Sequence, residues 1–255
     1  MFVVERDSLS DAWADTLCRL LSLRGHTAAP AIVRFPGGEP DGEPDDLAIR
    51  EVVDAQLSAL RKSSILTVAN TIFPQSIWLH HWEDREEFFT AFLKVWPRIK
   101  RYRGNDHGTY FYRLVNFEDA SGPVNQLKHI IETWRQGNHR HSALQAGVLD
   151  PRSDHSHRRI QAFPCLHQIA FHPRGTNGQE GLSVVAFYAN QLLLEKAYGN
   201  YLGLTRLGHF MAREMGLQLR DVTCVASYLK PSEKQPLGVL RGLRDSLLEV
   251  CDVED

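Results

Sequence analysis

The stretch RRIQAFPCLHQIAFHP (158–173), with RGTNGQE (174–180) and GLSVVAFYA (181–189) after it, decides the fold. Two apolar runs rich in β-branched and aromatic residues flank a segment of turn composition, which predicts a pair of strands. HSALQAGVL (141–149) predicts another strand, set off by the turn-like DPRSDHSH (150–157). Downstream, the chain predicts a long helix from Gln191 to Met215 carrying Leu192, Leu193, Leu194, Leu202, Leu204, Leu207 and Phe210. Gly199, Gly203 and Gly208 lower its helix propensity, a sign of close packing against another element. VTCVASYL (222–229) predicts a last strand and VLRGLRDSLLEV (239–250) a closing helix.

The first half of the chain has helical periodicity instead. Residues 9–23 place Trp13, Leu17, Leu20 and Leu21 on one face behind Ser10 and Asp11, which suit capping positions. AAPAIVRF (28–35) predicts a strand, and the Pro-, Gly- and acid-rich segment 36–46 an exposed loop. Three further helices are expected. One spans Leu47 to Leu60, with Ile49, Val52, Val53 and Leu57 inward. The next, at 83–95, buries Phe88, Phe89, Phe92 and Leu93 and ends before Pro97. The third, at 124–136, turns Leu127, Ile130, Ile131 and Trp134 inward, and Gly137 and Asn138 suit its C-cap. Helices first, then strands crossed by one long helix, is the order of an α+β fold. Nothing in the composition marks a boundary, so one domain over residues 1–255 is expected.

With 255 residues, 43% hydrophobic and 24% charged, the chain has the composition of a globular protein with a substantial core. A net charge of −2 supplies no long-range attraction to nucleic acid or to anionic lipid, and neither is an expected partner. No apolar run is long enough to span a membrane, and MFVVERDSLSD places charges where a signal peptide needs apolar residues; a cytoplasmic location is expected. Cys18, Cys165, Cys224 and Cys251 lie far apart, without a CxxC pair, as reduced thiols do.

The order of pieces from residue 137 onward resembles the thymidylate synthase superfamily of pyrimidine-nucleotide methylases and hydroxymethylases. Phe163, Pro164 and Cys165 match its nucleophile signature, and Leu182, Ser183 and Val184 its next strand. Asn200 falls at the spacing of its pyrimidine-reading Asn, and Tyr228 where its sugar-binding Tyr sits. NHRHSALQAGVLD (138–150) resembles its arginine-bearing strand, so that Arg140 is the arginine lent across a dimer interface. GTYFYRL (108–114) is similar to an upstream Gly-x-x-Tyr segment.

The resemblance implies a mixed sheet with helices packed on one side, a long central helix and a homodimer. It also implies a pyrimidine nucleotide as substrate and 5,10-methylenetetrahydrofolate as one-carbon donor. Cys165 and His167 are then the catalytic residues, and Arg140, Ser183, Asn200 and Tyr228 bind substrate. The chain departs from the family at several places. Leu166 follows Cys165, with the imidazole one place later at His167. Ala189 and Asn190 replace the phosphate-gripping Arg-Ser, Leu192 the folate-facing Asp, and Cys224 and Ala226 the late Asp-x-His. For the catalytic Glu the nearest candidates are Asn70 and Gln75.

Read for their chemistry alone, the residues allow two states of Cys165. A thiol in an apolar strand is inert unless a cationic neighbour, here Arg140, Arg158, Arg159 or His167, stabilises the thiolate. A thiolate can add to C6 of a pyrimidine and make C5 nucleophilic, and an amide such as Asn200 offers a donor and an acceptor to the ring edge. The i, i+2 pairs His139/His141 and His155/His157 stand without a carboxylate at ligand spacing, so solvated histidines are expected rather than a metal site. RIKRYRG (98–104) is expected as a solvated face and FPQSIWLHHW (73–82) as core. The competing hypothesis is a non-catalytic paralogue that binds a nucleotide or a protein.

Overall fold

The computed structural model describes residues 1–39, 44–102, 105, 108–120, 122–137, 139–155, 157, 163–175 and 181–250. In chain order the elements are β1 (Phe2–Glu5), α1 (Leu9–Ser22), β2 (Ala31–Pro36), α2 (Leu47–Ala59), α3 (Ile65–Ile72), α4 (Gln75–His80), α5 (Arg85–Ile99) and α6 (Tyr110–Val115). They continue with β3 (Phe117–Asp119), β4 (Gly122–Val124), α7 (Gln126–Gln136), β5 (Gln145–Gly147), α8 (Pro151–Asp154), β6 (Leu166–Arg174), β7 (Gly181–Tyr188) and β8 (Gln191–Leu192). A π-helical turn, Leu193–Ala197, leads into α9 (Tyr198–Met215), followed by β9 (Gln218–Ala226), β10 (Leu229–Lys230) and α10 (Leu237–Leu248).

Among the described residues the main sheet has the order β1-β2-β9-β7-β6-β5. β1 is parallel to β2 and β7 to β9, while β2–β9, β6–β7 and β5–β6 are antiparallel, so the sheet is mixed. A parallel pair cannot be joined by a hairpin. The π turn and α9 supply the crossover from β7 to β9. This is the α+β architecture expected from the order of elements.

Register decides which side of the sheet is sealed. Val184, Ala186 and Tyr188 align with Val222, Cys224 and Ala226, and these with Phe35, Val33 and Ala31; all are buried. α9 lies on this side, where a Cβ at Gly208 would meet Val184 and Leu219. The alternate residues Val185, Thr223, Val225 and Ile32 are only half-buried, and Phe187 is 40% exposed. One face is core and the other is open.

Close approach of helices fixes α9. A Cβ at Gly199 would stand 2.6 Å from Val68 Cβ, and one at Gly203 would stand 2.8 Å from the Ala69 carbonyl oxygen. α3 therefore rests backbone to backbone on the first two turns of α9. Beyond it Phe73, Trp78, Phe88, Phe111 and Phe210 pack in tilted and edge-on pairs, so of the run 73–82, expected as core, Phe73 and Trp78 are core. Trp82 and Leu79 in that run are exposed.

Several local expectations shift. Ser8 caps α1, accepting from the Asp11 amide at 3.0 Å; Ser10 is buried and shares a 2.7 Å hydrogen bond with the Tyr198 hydroxyl. Pro97 lies inside α5, which runs on to Ile99; the missing N–H costs a single rung close to the helix end. Residues 141–149 form a 3-10 turn and the short β5, and 150–157 include the one-turn α8. The last long strand starts earlier, at Gln218, and breaks after Ala226, so that Leu229–Lys230 pairs with β8. Gly137 caps α7 at φ 67°, as expected, while Asn138, Arg158, Arg159, Arg103 and Gly104 lie outside the described residues.

Candidate active site

The chain leaves the sheet at the C-terminal ends of the parallel β7 and β9, where open sheets hold their crevices. Cys165 arrives at the same edge, because β6 runs antiparallel to β7 and Leu166 pairs with Tyr188. The amide of Ala189 donates to the Cys165 carbonyl at 2.9 Å, tying the cysteine to the end of β7. The thiol is half-buried.

Three elements surround it. From α6, the buried Tyr110 hydroxyl meets the backbone of Cys165 and Leu166, and its ring packs on Phe163 at 5.0 Å between centroids. Burial pushes the Tyr110 hydroxyl well above the ordinary phenol range. One turn on, Arg113 lies over the Phe163 ring at 4.7 Å, donates to the Val148 carbonyl at 2.8 Å and forms a two-pronged pair with Asp154. From β7, Tyr188 is fully buried beside Cys165, Tyr110, Tyr201 and Cys224, and burial raises it too.

The π turn supplies the third wall. Lys196 is exposed, and Cys165, Glu195 and Lys62 are the charges that act on it. Burial of its stem pushes the ammonium below the ordinary lysine range, against the pull of Cys165 and Glu195. Burial raises the Cys165 thiol, and the charge of Lys196 acts in the opposite sense. Glu195 is buried; its Oε1 accepts from Ser232 Oγ at 2.6 Å and from the Glu233 amide at 3.3 Å.

Buried polar atoms should be hydrogen-bonded. Among the described residues, Tyr188 OH, Asn190 Oδ1, Gln191 Nε2, Glu195 Oε2 and Asn200 Oδ1 meet no hydrogen-bond partner. Tyr188 ends β7, Asn190, Gln191 and Glu195 lie between β7 and α9, and Asn200 is in the first turn of α9; His26 Nδ1 and His139 Nδ1 elsewhere share this lack. Asn200 is 3% exposed and lies one turn beyond Lys196 on the same helical rise. Such a concentration of unmet hydrogen-bonding capacity is what a polar ligand satisfies.

The other residues singled out from the sequence are spread more widely. His167 is tilted against Phe187, 6.1 Å between rings, and burial lowers its pKa against the opposing hydrogen bond to the Pro164 backbone. The Ser183 hydroxyl donates to Asp221 Oδ2 at 3.1 Å, and Ser183 sits five residues before Tyr188 on β7. Arg140 is exposed ahead of the 3-10 turn. Tyr228 is 41% exposed, and its carbonyl accepts from the Gln191 amide at 2.9 Å. The structure thus ties Cys165 to the end of β7 and places Asn200 in the first turn of α9, keeps His167 beside Pro164, and leaves Arg140 and Tyr228 exposed. No cluster of three metal-ligating side chains occurs among the described residues.

Lys196 and Glu195 were not foreseen. Their signal was present: they are the charged pair in QLLLEKAYGNYLGL (191–204), and Lys196 stands four residues before Asn200. Compared with known proteins, the chain matches no protein-family model and no curated protein. The fold is that of an α+β protein with a mixed sheet, with Cys165 at the C-terminal end of the parallel β7–β9 pair. Among the described residues no helix is long and apolar enough to cross a membrane.

Proposed function

We propose that the chain is a thymidylate-synthase-like one-carbon transferase acting at C5 of a pyrimidine nucleotide or related ring. The observation that carries this reading is Asn200, a buried amide whose Oδ1 lacks a partner among the described residues, in the first turn of the helix that follows β7, the strand to whose end Cys165 is tied. The ring edge of a pyrimidine meets such an amide with N–H and C=O groups. The Cys165 thiolate adds to C6, C5 gains the electron pair and attacks an electrophilic one-carbon unit. Loss of the C5 proton then returns electrons to the ring as the sulfur–C6 bond breaks.

5,10-Methylenetetrahydrofolate is the donor this reading implies; when bound it supplies the electrophilic carbon. A pterin presents N–H donors, and the unpartnered Oε2 of Glu195 is an acceptor suited to hold them. A cytoplasmic homodimer completes the reading, with the open sheet face of Ile32, Val185, Phe187 and Val225 as the surface a second copy covers. In such a dimer Arg140, exposed in a single chain, is available to the partner.

Exchange of the C5 hydrogen of pyrimidine nucleosides and nucleotides with deuterated solvent tests the reaction. The native protein is expected to promote exchange and Cys165→Ala to abolish it; equal exchange by both ends the proposal. A second reading, a paralogue that binds without turnover, is favoured by the Ser183 hydroxyl being taken up by Asp221. Calorimetric binding of a nucleotide with no exchange would select it.

A further inference from the structure

Both edges of the main sheet are closed by side chains. At one edge the Val148 amide donates to the His167 carbonyl of β6, so its neighbour Gly147 on β5 faces outward. The Gln126 side chain of α7 stands in for a further strand there. Its Oε1 accepts from the Gly147 amide and its Nε2 donates to the Gly147 carbonyl, both at 2.8 Å. At the other edge the Arg6 amide, just past β1, donates to the Arg34 carbonyl at 3.3 Å. Backbone groups of successive strand residues turn to opposite sides, so Val3 and Glu5 point away from β2. Arginines take their carbonyls: Arg19 Nη1 donates to Val3 at 2.7 Å and Arg6 Nη1 to Glu5 at 2.9 Å. Asp15 on α1 holds both cations, with Oδ2 at 2.8 Å from Arg6 Nη2 and Oδ1 at 3.6 Å from Arg19 Nε. The Arg6 contact lacks hydrogen-bond geometry and is held by charge.

We propose that Arg6, Arg19 and Asp15 form a clasp that bars strand addition at β1, and that opening it turns this edge into an interface with a second copy of the chain. The inference is independent of Cys165 and its chemistry. An edge strand is a template for pairing, because its outward N–H and C=O groups can bond another chain. β1 presents two such residues, Val3 and Glu5, with Val4 between them. A two-fold axis through Val4 sets Val3 of one copy opposite Glu5 of the other, and each such pair exchanges two N–H···O bonds. A second copy thus meets the edge with a matching set of donors and acceptors, which makes it the occupant. Val3 is 42% exposed, so the added strand also covers apolar surface. A groove of about 480 Å³, bordered by Phe2, Val3, Cys18, Arg19 and Ser22, leaves room beside it. Arg19 stands in that groove on the carbonyl an incoming strand needs. Both arginines are about half exposed and can swing into solvent, whereas Gln126 is half-buried and bonds Gly147 twice. β1 is the edge that opens.

Arg6→Ala combined with Arg19→Ala removes both caps, and circular dichroism establishes that the variant is folded. Its sedimentation mass should rise to about twice that of the native protein or more at equal concentration, whatever the native mass is. The Val3 and Glu5 amides, followed by NMR, should exchange about tenfold more slowly than in the native protein, because they now donate across the new pairing. Adding Val3→Pro removes an outward N–H that β2 does not use and should restore the native mass. Arg19→Ala alone frees the Val3 carbonyl and should show the same changes in part, which keeps the test open if the double variant does not fold. Native mass and native exchange in the folded variants would overturn the proposal, as would association that survives Val3→Pro. Because every mass is read against the native protein, a monomeric native chain ends the homodimer of the transferase reading and leaves the clasp standing.

Discussion

The Trp13 indole donates a 3.0 Å hydrogen bond to the carbonyl of Leu193, the first residue of the π turn that carries Lys196. Trp13 is fully buried and its ring lies 5.5 Å from that of Tyr198, so α1 holds both ends of the turn. Trp13→Phe keeps most of the ring packing and leaves a buried carbonyl without its donor. A loss of about 1–3 kcal/mol in urea unfolding is expected. Faster amide exchange at 193–197 should accompany it. Unchanged exchange there would show that the turn does not depend on this bond.

Glycines in two helices should respond oppositely to alanine. In α9, Gly203→Ala drives a methyl to 2.8 Å from the Ala69 carbonyl oxygen, and a loss of about 1–3 kcal/mol is expected from overpacking. In α10, Gly242 has open space around it, so Gly242→Ala should stabilise by about 0.5–1 kcal/mol through helix propensity. Thermal melts of the two variants decide the matter by the sign of the shift.

Asp154 gives stability a defined acid dependence. Burial would raise its pKa, but the hydrogen bonds and charge of Arg113 outweigh burial and hold it below the ordinary carboxylate range. A depressed folded-state pKa contributes stability that is complete above the unfolded-state value and disappears as pH falls through the folded one. The melting temperature of Asp154→Asn should therefore lie below that of the native protein at pH 7. The gap should close as pH drops below about 4. A constant gap across that range would assign the loss to packing.

The open face of the sheet predicts self-association. Phe187→Lys together with Val185→Asp places opposite charges among Ile32, Thr223 and Val225 without touching the buried register. Sedimentation should find twice the chain mass for the native protein and a single chain for the double variant. A monomeric native protein would remove Arg140 from the site.

What the sequence disclosed follows its periodicities. α2, α7 and the core residues of α5 were legible because Val53, Ile131 and Phe92 recur with their neighbours at helical spacing over several turns. β6 and β7 were legible because turn residues bound them. The short α3, α4 and α6 were not, since six to eight residues give two turns or fewer, even in α3, where Ile65, Val68, Ala69 and Ile72 do share one buried face. β1, four residues at a sheet edge, was likewise missed. Of the candidate site, Cys165 and Asn200 came from a pattern in the sequence. The π turn was hidden, because the sequence reads 191–215 as one helix, whereas Gln191–Leu192 form β8 and Leu193–Ala197 the π turn before α9.

The contact of α3 with α9 constrains how this chain can change over time. At Gly199 and Gly203 the obstacles to a larger residue include the carbonyl oxygens of Ile65 and Ala69. Trimming Val68 or Ile72 makes no room against a main-chain atom, so no single compensating substitution opens these two sites. Drift there is closed off, and the start of the helix bearing Asn200 is held in place whatever happens to the side chains around it.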